Sequence, residues 1–215
     1  MEKLRICTVG TSGTGKSTLS RMLAEELGIA HIPEQARVVC EDLGIELREL
    51  RYRDTYLFQK KVLEYQIREE ERFRNTGFIA DRSVFDPLVY LMRFTEAPPL
   101  LVAEYKKLIF SYYKNNPYHH IFYLRPGEFE PEDDGVRSTD RLYRYQVDGM
   151  FLMFLKTFSI EVETITGSKE NRLMKALQSI ENKRQKLEKS GLFENVETRR
   201  QIINHEHIPV FNSEN

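Results

Sequence analysis

Gly10-Thr11-Ser12-Gly13-Thr14-Gly15-Lys16-Ser17 is the stretch that decides how the rest of the chain is read. It has the spacing Gly-x-x-x-x-Gly-Lys-Ser, and its flanks have the pattern of a strand and a helix. Before it, Leu4-Arg5-Ile6-Cys7-Thr8-Val9 is a short apolar run with β-branched residues. After it, Leu19, Met22, Leu23 and Leu27 recur at helical spacing, and Gly28 stands where a left-handed cap closes a helix. Glycines let the backbone curl until successive amides face one anion, and the following helix adds about half a positive charge at its N-terminus. The loop therefore implies a bound nucleoside triphosphate with Mg²⁺. Gly10, Thr11, Ser12, Gly13, Thr14, Gly15 and Thr18 would line the phosphates, Lys16 would reach the β- and γ-phosphates, and Ser17 would offer its hydroxyl to the metal.

Working outward, the strand, loop and helix open an alternating chain. A strand at about Ala30–Ile32 precedes Pro33-Glu34, which starts a helix to about Leu43, and a long helix is expected from Asp54 to about Asn75. Phe78-Ile79-Ala80 is a third strand ending in Asp81-Arg82-Ser83. Helices follow from Asp86 to about Phe94 and from Pro98-Pro99 to Lys114, and His120–Leu124 is a fourth strand. The segment Arg125 to Thr139 holds Pro126, Gly127, Pro131 and Gly135 among Glu128, Glu130, Glu132, Asp133 and Asp134, and reads as a loop. A helix at about Asp140–Thr157, a strand near Glu161–Ile165 and a helix at about Lys169–Lys189 complete the pattern. Such alternation implies an α/β fold, a parallel sheet covered by helices on both faces. The expected organisation is one domain over 1–190 and a tail over 191–215.

Composition narrows the function classes. At 215 residues, with 32 basic and 33 acidic side chains, the chain carries a formal charge of −1 and projects no global field toward a polyanion. Nucleic acid is therefore disfavoured as a partner. The apolar runs are too short for a membrane span, the N-terminus lacks a signal-peptide core, and Cys7 and Cys40 read as thiols within elements; a cytoplasmic protein is expected. His119-His120 and the His205/His207 pair resemble metal ligands only loosely. The charged last helix offers a face either to solvent or to a second copy, as in a homodimer.

In a parallel sheet, ligands collect at the carboxyl ends of the strands. Those ends carry the phosphate loop, Glu34, Asp81-Arg82, the Arg125–Thr139 loop and Gly167-Ser168. Phosphoryl transfer needs positioning and charge stabilisation, and this set supplies both. Asp81 would stand beside Mg²⁺ and Glu34 would orient or deprotonate an acceptor hydroxyl, roles that could be exchanged. Arg82 would hold the acceptor. Arg137 and Arg141, four apart, would lie on one side of a helical turn and close over the moving phosphate, with Arg144 as a further arginine of the same segment. Tyr143, Tyr145, Phe151, Phe154 and Phe158 have the spacing of helix packing.

The order of phosphate loop, Pro33-Glu34-Gln35-Ala36-Arg37, Asp81-Arg82-Ser83 and Asp134-Gly135-Val136-Arg137 with Arg141 resembles the nucleoside and nucleotide kinase group of P-loop proteins. Within that group it is most similar to the ribosylnicotinamide-kinase-like branch of AAA-type ATPases and kinases, over about Leu4 to Arg172. The resemblance implies a three-layer P-loop kinase fold with a five-stranded sheet of order 2-3-1-4-5 and a lid at about 125–141. It also implies an ATP-dependent kinase acting on a small nucleoside or nucleotide acceptor, with Glu34 as the base toward a 5′-hydroxyl. Gly167-Ser168 with Arg172 correspond to the loop that often holds adenine. Two other readings are weighed against this one. A polynucleotide 5′-end kinase is opposed by the balanced charge and the acidic loop. A regulatory GTPase would need Asn-Lys-x-Asp, and Asn182-Lys183-Arg184-Gln185 fails at its last position.

Overall fold

The computed structural model describes residues 3–44, 55–93, 99–127 and 141–189. Five strands and seven helices alternate among them: β1 (Arg5–Val9), α1 (Lys16–Leu27), β2 (Ala30–Ile32), α2 (Gln35–Leu43), α3 (Thr55–Arg72), β3 (Phe78–Asp81), α4 (Asp86–Met92), α5 (Pro99–Asn115), β4 (His120–Tyr123), α6 (Arg141–Thr157), β5 (Glu163–Thr164) and α7 (Lys169–Lys189). The strands form one sheet of order β2-β3-β1-β4-β5, and every pairing is parallel. This is the order implied by the resemblance. Two compact units are present, Met1–Ala176 and Leu177–Asn215. Within the second, residues 177–189 continue α7, and the tail from 191 lies outside the described residues.

Every residue of β1, β3 and β4 is buried, the signature of strands covered on both faces. That burial explains why Arg5-Ile6-Cys7-Thr8-Val9 can carry Arg5 and Thr8 among apolar neighbours only if each finds a partner. Thr8 Oγ1 donates to the Ala80 carbonyl at 3.4 Å, and Arg5 pairs with Glu70 at 3.0 Å. A core of Val9, Ile32, Leu63, Phe78, Phe85, Leu88, Tyr123, Phe151 and Phe154 packs between sheet and helices. Aromatic contacts join α4, α5 and α6 there: Phe85 lies 5.7 Å from Phe154 and 4.9 Å from Tyr113 between ring centres. The packing role expected for Phe151 and Phe154 holds, whereas Tyr145 is exposed.

Several boundaries differ from the sequence reading. The strand expected at Glu161–Ile165 is reduced to Glu163–Thr164, at the sheet edge where only β4 supplies partners; the Ile165 amide still donates to the Tyr123 carbonyl at 3.0 Å. The helix expected to reach Phe94 ends at Met92, and the one expected from Asp54 to Asn75 runs from Thr55 to Arg72. Most of the Arg125–Thr139 loop, including Arg137, lies outside the described residues, and so do His205 and His207. Among the described residues, no helix is long and apolar enough to cross a membrane.

Candidate active site

Register brings the pieces together. Thr8 of β1 stands opposite Asp81 of β3, and the β1–β4 pairing sets Val9 beside Tyr123, so the strand ends lie side by side. From Gly10 the chain turns on positive φ angles, +131° at Gly10 and +86° at Gly15. A Cβ on Gly10 would overlap the Leu124 carbonyl, so Gly10 is required for space as well as for backbone angle, while Gly15 is required for its angle and has Nη1 of Arg172 3.0 Å from where a Cβ would stand. The helix start at Gly15 has no side-chain cap, which leaves the first amides of α1 facing the loop's interior. Thr11 Oγ1 and Ser12 Oγ are buried with no hydrogen-bond partner, donors that suit a phosphate.

Lys16 is buried and folded back on the loop. Its Nζ donates to the Thr11 carbonyl at 2.5 Å and stands 3.4 Å from Thr14 Oγ1. Burial, reinforced by the nearby charge of Arg82, lowers its pKa from the ordinary lysine value to about 7, although Asp81, Glu34 and Asp86 act in the opposite sense. Asp81, 2% exposed, has one carboxylate oxygen, Oδ1, buried with no donor. A desolvated, unpartnered carboxylate oxygen beside a phosphate loop fits a cation, and Mg²⁺ commonly takes one carboxylate together with substrate phosphates. Ser17 begins α1 next to Lys16 and is the hydroxyl that would join it. No cluster of three or more His, Cys, Asp or Glu side chains forms a self-sufficient metal cage among the described residues.

At the ends of β2 and β3 the structure assembles an ion-pair array. Glu34 is the N-cap residue of α2, yet its carboxylate makes no capping bond. It turns instead to Arg82, whose Nε donates to Oε1 at 2.6 Å, while Arg37 Nε lies 3.4 Å from Oε2. Arg82 also donates through Nη1 to Asp86 Oδ1 at 3.0 Å. Burial opposes the Arg82 charge, but Glu34, Tyr90, Asp86 and Asp81 together raise its pKa well above the ordinary value, and it stays cationic. The same guanidinium lies within 3.4 Å of the Tyr90 hydroxyl and of the Gly10 carbonyl. Burial pushes the Tyr90 pKa up to about 12, so its hydroxyl remains protonated. Asp86 Oδ2 accepts from the Ser83 amide at 2.9 Å and the Ser83 hydroxyl at 2.7 Å, which fixes the turn after β3. Arg82 adopts φ +97°, a left-handed conformation that costs a non-glycine residue of order 1–3 kcal/mol and recurs at functional sites.

Sequence reasoning overlooked several members of this site. Asp86 stands in the sequence only as the start of a helix, although Arg82 four residues earlier is the signal for a pair. Arg144, treated as secondary to Arg137 and Arg141, is buried, and it donates from Nε to the Ser12 carbonyl and from Nη2 to the Gly13 carbonyl, each at 3.2 Å. Arg141 is exposed, with its guanidinium 5.8 Å from the Tyr145 ring centre. Arg172 bonds backbone: Nε donates to the Gly167 carbonyl at 2.9 Å and Nη1 to the Thr14 carbonyl at 2.5 Å. Gly167 adopts φ +109°, and Ser168 Oγ accepts from the Asn171 amide at 3.2 Å to cap α7. Thr18 lies in the first turn of α1.

With this geometry in view, the chain can be set against known proteins. Among solved structures it is similar to NadR protein in complex with NR, with a TM-score of 0.68 at 18% identity; the match covers 84% of this chain and 51% of that one, so the chain spans about half the length of the NadR structure. It is similar to deoxyadenosine kinase from M. mycoides with bound products, with a TM-score of 0.60 at 15% identity over 83% of this chain and 100% of that one. Thymidylate kinase from Ehrlichia chaffeensis gives 0.59 at 14% identity over 84% and 100%. At such identities these likenesses establish the fold, that of P-loop kinases. No curated protein matches the sequence. A family profile described as AAA domain matches residues 5–172, the span from the first residue of β1 to the arginine that bonds the phosphate loop, and the chain therefore belongs to the AAA domain family.

Proposed function

We propose that this protein is an ATP-dependent kinase that transfers the γ-phosphoryl group of Mg·ATP to a hydroxyl of a nucleoside-like or nucleotide acceptor. The observation that carries the reading is the Glu34–Arg82–Asp86 array set at the ends of β2 and β3 beside Lys16. The array presents a half-buried carboxylate, oriented by two arginines, to whatever hydroxyl stands at these strand ends. In this reading Glu34, held by Arg82 and Arg37, faces the acceptor hydroxyl and takes its proton as the oxygen attacks phosphorus. Lys16 leaves the Thr11 carbonyl for the β- and γ-oxygens, and the loop amides balance the charge that develops there. Ser17 and Asp81 would hold Mg²⁺, which when bound neutralises phosphate charge and aligns the leaving group. The likeness to NadR with NR and to deoxyadenosine kinase supports a ribosyl acceptor; the setting we propose is the cytosol.

The test is ADP release from Mg·ATP, alone and with pooled nucleosides or nucleoside monophosphates, nicotinamide riboside included, with Lys16→Ala as control. Stimulation by one pool is expected, together with loss of all turnover in the control. ATP hydrolysis unchanged by every pool would overturn the small-molecule acceptor.

A further inference from the structure

The amides of a phosphate loop point inward, so its carbonyls point outward and must be satisfied from behind. Here three cations do that for four consecutive residues. Lys16 takes the Thr11 carbonyl, Arg144 those of Ser12 and Gly13, and Arg172 that of Thr14. Arg172 differs from the other two because it bridges. Its Nε holds the Gly167 carbonyl of the β5–α7 turn while Nη1 holds Thr14, and the Arg172 amide itself donates to the Ser168 carbonyl at 2.9 Å. The side chain is 2% exposed and occupies the space that a Cβ on Gly15 would need. Through these two bonds the guanidinium ties one backbone segment to another. Its planar fork is what allows one side chain to span two carbonyls from different segments.

We infer that Arg172 is a positioning residue that locks the β5–α7 turn to the phosphate loop, so that the two ends of a bound nucleotide are gripped as one unit. This rests on the nucleotide reading above, with Gly167-Ser168 on the adenine side as the resemblance implies. A ligand touching both segments gains from the lock, because their relative placement is settled before binding. A ligand touching only the phosphate loop gains much less. Lysine at 172 would keep the charge but reach one carbonyl, not both.

The experiment compares dissociation constants of Mg·ATP and Mg·tripolyphosphate for wild type and Arg172→Lys, with thermal melting of both proteins. In wild type, ATP should bind more tightly than tripolyphosphate. In the variant, ATP affinity should fall about tenfold and tripolyphosphate affinity less than about threefold, the size of one lost charge-assisted hydrogen bond. Equal losses for both ligands, or none, would overturn the lock. Wild type that binds tripolyphosphate with no advantage for ATP would also overturn it while leaving the phosphate loop intact; wild type that binds neither ligand would sink the nucleotide reading itself. If Arg172→Lys does not fold, hydrogen exchange on wild type decides the matter. Tripolyphosphate should then slow exchange at residues 168–172, which it does not reach, and protection confined to 10–18 would overturn the proposal.

Discussion

At the scale of single residues, the site divides into side chains whose role follows from local spacing and side chains whose role follows from distant partners. Lys16 belongs to the first kind, and its buried amine yields a pH prediction. The folded-state pKa lies near 7, below the ordinary 10.5. Between those values the unfolded chain holds a proton that the folded chain lacks, so stability rises with pH across the window, and the full cost of burying the charge is felt below about pH 7. Lys16→Met should therefore stabilise the ligand-free protein most at pH 6–7, with the gain fading toward pH 10, as urea midpoints would reveal. Phosphates beside the amine favour its charged form. At pH 8, Mg·tripolyphosphate binding should take up a substantial fraction of a proton, measured as a dependence of binding enthalpy on the ionisation enthalpy of the buffer. On the acceptor side, Glu34→Ala should lower turnover by two or more orders of magnitude and leave the ATP dissociation constant within about threefold; an equal loss of ATP binding would sink the assignment. Glu34 also shows the limit of local reading. A carboxylate at a helix start satisfies the helix dipole, and only the position of Arg82, 48 residues away, reveals that it faces elsewhere.

Among elements, strand and helix identities were legible because buried parallel strands leave short continuous apolar runs and amphipathic helices leave an apolar stripe at 3.6-residue spacing. The short β5 was overestimated, since Glu161–Ile165 has the β-branched content of a strand but pairs with β4 alone. The contacts of Arg144 and Arg172 were illegible for another reason. Nothing in the local pattern of α6 or α7 says that these arginines reach across 132 and 158 residues to the same loop. At the opposite ends of the strands, Arg5 of β1 and Glu70 of α3 form a buried pair, completed by Tyr112, Tyr118 and Gln66 as further hydrogen-bond donors to Glu70. Burial raises the Glu70 pKa while these donors and Arg5 oppose the shift. Because Arg5 would be left uncompensated, Glu70→Ala should cost about 3–5 kcal/mol in denaturant-measured stability. A loss under about 1 kcal/mol would mean that water replaces the carboxylate.

Across the whole molecule, the near-zero net charge separates acceptor classes. Oligonucleotides bearing a 5′-hydroxyl should release no ADP above background at 0.15 M salt, because phosphate binding at that ionic strength needs a cluster of uncompensated cations. Among the described residues, the acceptor-side arginines Arg37 and Arg82 are already paired with Glu34 and Asp86. Salt-sensitive ADP release with oligonucleotides would reverse that expectation. The sheet order was implied by the resemblance, and the gathering of strand ends by the alternating pattern. What sequence alone could not convey was how tightly charges from α2, α4, α6 and α7 interlock around one short loop.

Arg82 carries a last consequence. Its backbone angle favours glycine or asparagine, whereas its partners Glu34 and Asp86 require a guanidinium. Arginine itself bears the backbone strain, and a replacement that relieves it gives up the fork that holds both carboxylates. In a saturation library, position 82 should tolerate arginine alone, a narrower spectrum than the surrounding core accepts, and drift at this site would have to pass through inactive intermediates.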